Sequence, residues 1–331
     1  MYITFKNVGQ GDSIILEWQK ESGGKGVGIV DCKLHNGKNP TVLHVQQAAY
    51  TSIDFIILSH PHHDHFSGML ELIAYCEDKQ IVIGCFYHTC RQHPDYIKAA
   101  CKSIAVQKGL IQLLQKIQTL FREGEIEKQS LSQSSVPILL EKEIAMKCLS
   151  PSEREYDDFI SSENYKYNEE ETGNVPKANK LSTLLKIEGQ GWYILLTSDA
   201  EKSTFNRLAK QHKGEFDGDL LLIQSPHHGA WSNHWDAFWK QRKKKNGAFA
   251  VISVGKNQYK HPSQKTVDSF IKHQYQLRYT DAVGPLRKLE RSSLARKNAI
   301  ALDTFSSTES NYGKDVAFEV KDSNVSEIST R

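Results

Sequence analysis

Leu58-Ser59-His60-Pro61-His62-His63-Asp64-His65-Phe66-Ser67-Gly68 carries four of the chain's 14 histidines within six residues. The apolar run ahead of it, Phe55-Ile56-Ile57-Leu58, has the length and β-branched content of a buried strand. Behind it, Met69-Leu70-Glu71-Leu72-Ile73-Ala74-Tyr75 places apolar residues at helical spacing. The histidines therefore fall in a strand-to-helix turn, where α/β sheets place their chemistry. His60 and His62 are two residues apart and reach one ion from an extended segment. Asp64 and His65 lie further on and reach a second. Imidazole and carboxylate together suit zinc, manganese or iron better than calcium or magnesium.

The same arrangement, an apolar strand followed by a polar cluster, recurs on both sides of this stretch. Strands are expected at 2–5 and 13–18, around the turn Val8-Gly9-Gln10-Gly11-Asp12-Ser13, whose glycines let the backbone approach a neighbour closely. Gly28-Ile29-Val30-Asp31-Cys32 is a strand that ends in a carboxylate. Residues 40–50 read as a helix and Ile81 to Tyr87 as a strand. From Pro94 to Arg122 the spacing predicts one long helix or a helical pair inserted over the sheet edge. Short strands follow over 123–147. Ser150 to Lys180 is polar and reads as a long loop near the site. Leu181 to Ile187 and Trp192 to Thr197 form a hairpin that leads into Ser198-Asp199. A helix over 201–212 precedes the strand Leu220 to Ile223 and the cluster Ser225-Pro226-His227-His228-Gly229. Ala248 to Val254 is the next strand, leading into Gly255-Lys256-Asn257-Gln258-Tyr259-Lys260-His261-Pro262. Residues 276–303 are basic, and the tail contains a strand at Val316 to Val320. Asp31, His60 to His65, Asp199, His227/His228 and His261 thus all follow apolar strands, as one composite site requires. Asp199 is the natural carboxylate to be shared by two ions.

Composition limits the function classes. A chain of 331 residues that is 39% hydrophobic can bury a sizeable core. A formal charge of only +3 is no polycation, so a nucleic-acid partner needs local basic patches. The first residues lack a signal-peptide core, and no apolar run reaches the roughly 18 residues of a membrane span. Six scattered cysteines without Cys-x-x-Cys spacing read as a reducing, cytoplasmic setting.

On His60-x-His62-x-Asp64-His65 the sequence resembles the metallo-β-lactamase-fold hydrolases. Within them, Val8-Gly9-Gln10-Gly11-Asp12-Ser13, Leu196-Thr197-Ser198-Asp199-Ala200, His227-His228-Gly229 and Asn257-x-Tyr259-x-His261-Pro262 resemble the hydrolase domain of ComEC-type competence proteins, over residue 3 to about 284. The resemblance implies an α/β fold, an αββα sandwich with a helical insert around 94–122. It places a hydrolase domain over 1–305 in a stand-alone form, followed by a C-terminal strand and polar tail over 306–331. It assigns His60 and His62 to a first ion, Asp64 and His65 to a second, and Asp199 to both. One histidine of the 227–228 pair completes the second position, His228 being favoured, with His227 left for substrate or proton transfer. The chain departs from many relatives in lacking a further histidine for the first ion. His88 and His93 come too early, and Asn179 stands about where this branch carries an asparagine. Asp12 and Asp31 are candidates to accept hydrogen bonds from ligand imidazoles and fix them from behind. His261 is a candidate proton donor to the leaving group.

The implied activity is a hydrolase with two divalent transition-metal ions, Zn²⁺ or Mn²⁺, and a hydroxide held between them. The favoured activity is that of a phosphodiesterase or nuclease, above all on nucleic acid, or else on a nucleotide. Lys240, Arg242, Lys243, Lys244 and Lys245, together with the stretch Arg287 to Lys297, are the basic residues that favour it. The competing readings are a small-molecule hydrolase of a phosphoester, nucleotide, lactone or thioester, and an effector subunit that docks a protein partner through 94–122.

Overall fold

The strand Trp192–Leu196 shows why these runs become strands: Trp192, Ile194 and Leu196 face one apolar layer while Tyr193 and Leu195 face another. The computed structural model describes residues 1–89, 94–100, 103–160, 178–290 and 313–329. In chain order it holds β1 (Tyr2–Phe5), β2 (Ile14–Gln19), β3 (Lys25–Val30), α1 (Pro40–Ala48), β4 (Ser52–Leu58), the single turn α2 (His63–Phe66), α3 (Met69–Asp78), β5 (Val82–His88), α4 (Pro94–Ala100), α5 (Ile104–Arg122) and β6 (Glu127–Ser130). There follow β7 (Ile138–Glu141), β8 (Ile144–Ser150), α6 (Glu153–Ile160), β9 (Leu184–Gly189), β10 (Trp192–Leu196), α7 (Lys202–Gln211), β11 (Asp219–Gln224), α8 (Asp236–Lys240), β12 (Lys244–Ile252), α9 (Gln264–Lys272), β13 (Gln276–Tyr279), β14 (Val316–Lys321) and β15 (Asn324–Ile328).

The strands form two sheets, in the orders β15-β14-β1-β2-β3-β4-β5-β6 and β13-β12-β11-β10-β9-β8-β7. Each sheet changes from antiparallel to parallel pairing part-way across. In the first, β1, β2 and β3 are antiparallel and β4 to β6 then run parallel to β3. In the second, β8, β9 and β10 are antiparallel and β11 to β13 run parallel to β10. The two sheets share one apolar layer, in which Phe5, Leu16, Val30 and Phe55 of the first meet Leu185, Ile194, Leu222 and Val251 of the second. The outer face of the first sheet is covered by α1, α3, α4 and α5, through residues such as Val45, Leu72, Ala99 and Leu113. That of the second is covered by α7, α8 and α9, through Phe205, Trp239 and Phe270. The fold is an αββα sandwich.

Several elements differ from the sequence reading. The helical stretch over 94–122 is a pair, α4 and α5, one of the two forms expected, but it serves as the crossover that brings β6 parallel to β5. Such a connection needs a dozen or more residues because the chain must return to the same sheet end. The stretch read as a loop after Ser150 contains α6, whose Tyr156 and Phe159 are buried in the first sheet's outer layer. Residues 161–177 of that stretch lie outside the described residues, as do His93 and 291–297 of the basic stretch. β12 begins at Lys244, earlier than expected, and β13 pairs beside it within the region read only as basic. The tail strand β14 pairs with β1 and so belongs to the first sheet.

Candidate metal centre

The site lies where corresponding strands of the two sheets end. Asp31 follows β3 and Asp199 closely follows β10, the last antiparallel strand of each sheet before the parallel ones begin. The histidine stretch follows β4 and His227-His228 follows β11, the first parallel strand of each. Backbone bonds hold the loops together: Cys32 N donates to His65 O (2.8 Å), Asp12 N to Asp64 O (3.1 Å) and His227 N to Ser198 O (3.0 Å). Asp31, Ser198, His227 and His228 all adopt positive φ (61°, 45°, 47° and 53°) without being glycine. Such backbone is strained and persists only where its surroundings over-determine it. Gly11 fits because a Cβ there would lie 2.5 Å from the backbone oxygen of Asp64.

Two clusters of donor atoms meet at Asp199. On one side, His60 Nε2 lies 3.5 Å and His62 Nδ1 4.0 Å from Asp199 Oδ2, with 3.0 Å between the two nitrogens. On the other, His65 Nε2 and His228 Nε2 each lie 3.7 Å from Asp199 Oδ1. Asp64 joins this side, 3.4 Å from His228 Nε2 through Oδ2 and 4.0 Å from His65 Nε2 through Oδ1. Donor atoms of Asp12, His65, Asp199 and His228 all fall within 4.8 Å of one another, as do those of His60, His62 and Asp199. Bonds of about 2.0–2.2 Å to one ion put ligand atoms roughly 3–4 Å apart, so these spacings fit ion coordination.

Hydrogen bonds from behind fix which atom of each ring faces inward. His65 Nδ1 donates to Asp31 Oδ2 (2.6 Å), and Asp31 also accepts from Ser59 N (2.8 Å) and Ser59 Oγ (2.7 Å). His228 Nδ1 donates to the carbonyl of Ser253 (2.9 Å). His60 Nδ1 lies 3.1 and 3.2 Å from the hydroxyls of Ser59 and Ser198, which bond each other at 2.8 Å. The atoms aimed inward are left without partners. Asp12 Oδ1, His65 Nε2, Asp199 Oδ1 and His228 Nε2 are buried and make no hydrogen bond within the described protein. Buried polar atoms are nearly always paired, so four orphans converging on one spot fit a bound cation.

The charges agree. Burial pushes the Asp12 carboxyl up. Burial would lower His65 and His228, but the carboxylates around them outweigh it: Asp31 and Asp199 hold His65 well above its usual range, and Asp12 and Asp199 raise His228 to about 9. His60, which has less carboxylate around it, is lowered to about 3 by burial. Protons on His65 and His228 offset a carboxylate excess that a divalent cation would offset better.

Asp31, expected to hold an imidazole from behind, lies 2.6 Å from His65 Nδ1. Asp12, given the same role, instead sits among the donor atoms. His227 was left for substrate, but its Nε2 lies 3.5 Å from Asp199 Oδ2, on the side of His60. The Asn179 amide is 3.2 Å from His227 Nδ1. Two successive left-handed residues turn the adjacent rings of His227 and His228 apart, to 76° between planes, so that neighbours in sequence serve opposite sides. No spacing rule announces this. His261 lies beyond His227, with ring centres 5.4 Å apart, and Tyr259 stacks on it. His88 is buried in β5.

No family model matches the sequence, and no curated protein matches it either. The chain is similar to solved structures at low identity. One is the metallo-β-lactamase-fold protein YhfI from Bacillus subtilis, at 10% identity over 84% of this chain and 95% of that one, with a TM-score of 0.44. A second is Zn²⁺-bound PqqB from Methylobacterium extorquens, at 9% identity over 84% and 98%, with a TM-score of 0.46. A third is a diphosphatase of the PhnP family, at 10% identity over 81% of each chain, with a TM-score of 0.41. Among the described residues, no helix is long and apolar enough to cross a membrane.

Proposed function

We propose that this protein is a metallo-β-lactamase-fold, metal-dependent hydrolase of phosphodiesters that acts on a nucleotide-containing substrate. The observation that carries the reading is the division of Asp199, with Oδ2 toward His60, His62 and His227 and Oδ1 toward His65 and His228. One carboxylate turned both ways is what two adjacent cations require. His60, His62 and His227 would hold the first ion, His65, His228 and Asp64 the second, and Asp199 both. Bound there, two divalent ions supply Lewis acidity and ease the ionisation of water near neutral pH. The chain's own groups do the rest. Asp31, Ser253 and the Ser59–Ser198 pair keep the imidazoles oriented, and Asn179 positions His227. Burial, with His227 and His228 nearby, lowers His261 to about 4, so it is neutral near pH 7, where its N–H can donate a hydrogen bond to a leaving oxygen but does not protonate it.

The loop 255–262 supports a nucleotide. Tyr259 is 63% exposed and stacks on His261, with the exposed Lys256 and Lys260 on either side. An exposed ring flanked by lysines offers a base a stacking surface and a phosphate a counter-charge. One observation favours a short substrate over a long polynucleotide. The cluster around 240–244 sits at the start of β12, about 26 Å of strand from the end that faces the site. Its cations are also engaged in packing: Arg242 lies over the Phe238 ring (4.3 Å), Lys244 over Tyr275 (4.8 Å), and Lys243 pairs with Asp219 (3.1 Å). The Lys245 side chain lies outside the described residues.

The test is incubation of Zn²⁺- or Mn²⁺-loaded protein with bis(p-nitrophenyl) phosphate, a dinucleotide, and single- and double-stranded DNA and RNA, with Asp199→Asn as the control. Cleavage of the diester and the dinucleotide that the variant lacks is expected. Turnover of lactones or thioesters with no action on any diester would replace this reading with the small-molecule one.

A further inference from the structure

The two sides of the centre are not chemically alike, and the difference turns on Asp12. Its side chain is 1% exposed, yet Oδ1 has no hydrogen-bond partner within the described protein. Oδ2 lies 3.7 Å from His65 Nδ1, beyond hydrogen-bond distance, and that nitrogen already donates to Asp31. Asp31 supplies the contrast. Both its oxygens are used, by Ser59 N, Ser59 Oγ and His65 Nδ1, as expected of a carboxylate that holds a ligand from behind. Asp12 holds nothing in that way. A donor atom of Asp12 converges with those of His65, Asp199 and His228. Its position is also built. Asp12 N is bonded to Asp64 O, Gly11 O accepts from Ser253 Oγ (2.8 Å), and Gly255 packs so closely on Gly9 that a Cβ there would lie 2.4 Å from Gly9 Cα.

We propose that Asp12 is a direct ligand of the second ion, and that the centre is therefore mixed, with a harder cation such as Mn²⁺ on the Asp12 side and Zn²⁺ on the His60 side. This rests on the dinuclear reading above. The second side offers three carboxylates, Asp12, Asp64 and Asp199, with two imidazoles, His65 and His228. The first offers three imidazoles, His60, His62 and His227, with Asp199 shared. Oxygen-rich sets of five or six donors suit Mn²⁺ or Fe²⁺, whereas a tetrahedral set rich in nitrogen suits Zn²⁺. Intrinsic affinity alone would put Zn²⁺ in both places, so it is the unequal donor sets that let the two ions sort themselves.

The experiment loads metal-free protein with Zn²⁺ and Mn²⁺ in competition, removes loose ions, and reads metal content by elemental analysis and bound Mn²⁺ by electron paramagnetic resonance. The expected result is one Zn²⁺ and one Mn²⁺ per chain, with the spectrum of an isolated Mn²⁺ beside a diamagnetic neighbour. Asp12→Asn, shown folded by circular dichroism, should lose the Mn²⁺ and keep the Zn²⁺. An outer partner typically costs about 10–100-fold in affinity, and a lost charged ligand should exceed that range for Mn²⁺ while leaving Zn²⁺ within a few fold. Asp12→Glu should recover part of the Mn²⁺ affinity, which a merely space-filling role would not explain. Two Zn²⁺ ions in the wild type, or an Asp12→Asn variant that keeps both ions, overturns the proposal and returns Asp12 to an outer role with the dinuclear centre intact. A wild type that binds neither ion overturns the dinuclear reading itself, and this inference with it.

Discussion

Asp199 is buried at 1% exposure and is close to five imidazoles, which hold its carboxyl well below the usual range against the opposing effect of burial. Asp199→Asn keeps the shape and removes the charge; in the proposed two-ion centre it would leave two cations close together without the anion that offsets their repulsion. The expected outcome is loss of nearly all hydrolysis and of both ions, with an unchanged circular dichroism spectrum. A variant that keeps most of its rate would remove Asp199 from the centre. The 227–228 pair offers a finer comparison. His228 Nε2 faces Asp64 and Asp199 Oδ1, while His227 Nε2 faces Asp199 Oδ2. His228→Ala should therefore empty the second position, and His227→Ala should weaken only the first, as metal content of the two variants would show. The sequence singled out His60, His62, Asp64, His65 and Asp199 because each sits just past an apolar strand. It named Asp12 only as an outer acceptor and left open the side that His227 faces. A carboxylate in a glycine turn reads alike whether it meets solvent, an imidazole or an ion, and adjacent histidines diverge only through left-handed backbone that no periodicity encodes.

The loops that carry these residues depend on one another. Gly255 sits against Gly9, and a methyl there would meet backbone rather than a side chain able to swing aside. Gly255→Ala should cost about 1–3 kcal/mol, as overpacking does. It should also lower metal affinity, because the displaced segment leads directly to Asp12. Denaturant unfolding and metal titration on one preparation would check both effects. The helical layer over the second sheet has a separate acid sensitivity. His234 is fully buried, bonded to Ser269 Oγ (2.7 Å) and stacked by Trp231, and burial lowers it to about 3. The unfolded chain takes up that proton near pH 6.5 and the folded chain only near pH 3, so stability should fall as pH drops through this window, by several kcal/mol at most. His234→Phe should flatten that part of the pH profile. Helix α6 illustrates what polar composition conceals. Glu153 to Asp158 reads as loop, and only the spacing of Tyr156 and Phe159 shows a buried stripe.

How the strands divide between two sheets was beyond a sequence reading, since it is decided by pairings distant along the chain. The amino terminus of Met1 donates to Val320 O (3.0 Å), 319 positions away, and β1 runs beside β14 along its whole length. Phe318 of β14 is fully buried, edge-on to Phe5 of the same sheet and 5.0 Å from Phe249 of the other. Phe318→Ala should cost about 3–5 kcal/mol and lower the midpoint of denaturant unfolding without altering metal content, since the site is built from other strands. The β1–β14 pairing also bears on how the chain emerges during synthesis. Translation delivers β1 (Tyr2–Phe5) long before its partner β14 (Val316–Lys321), so a nascent chain carries β1 with one hydrogen-bonding edge open throughout the synthesis of everything between them. An open edge can pair with any passing strand. Ribosome-bound chains stalled before residue 313 should therefore be sensitive to protease around β1 and prone to stick to one another, and chains extended past β14 and free of the ribosome should show neither.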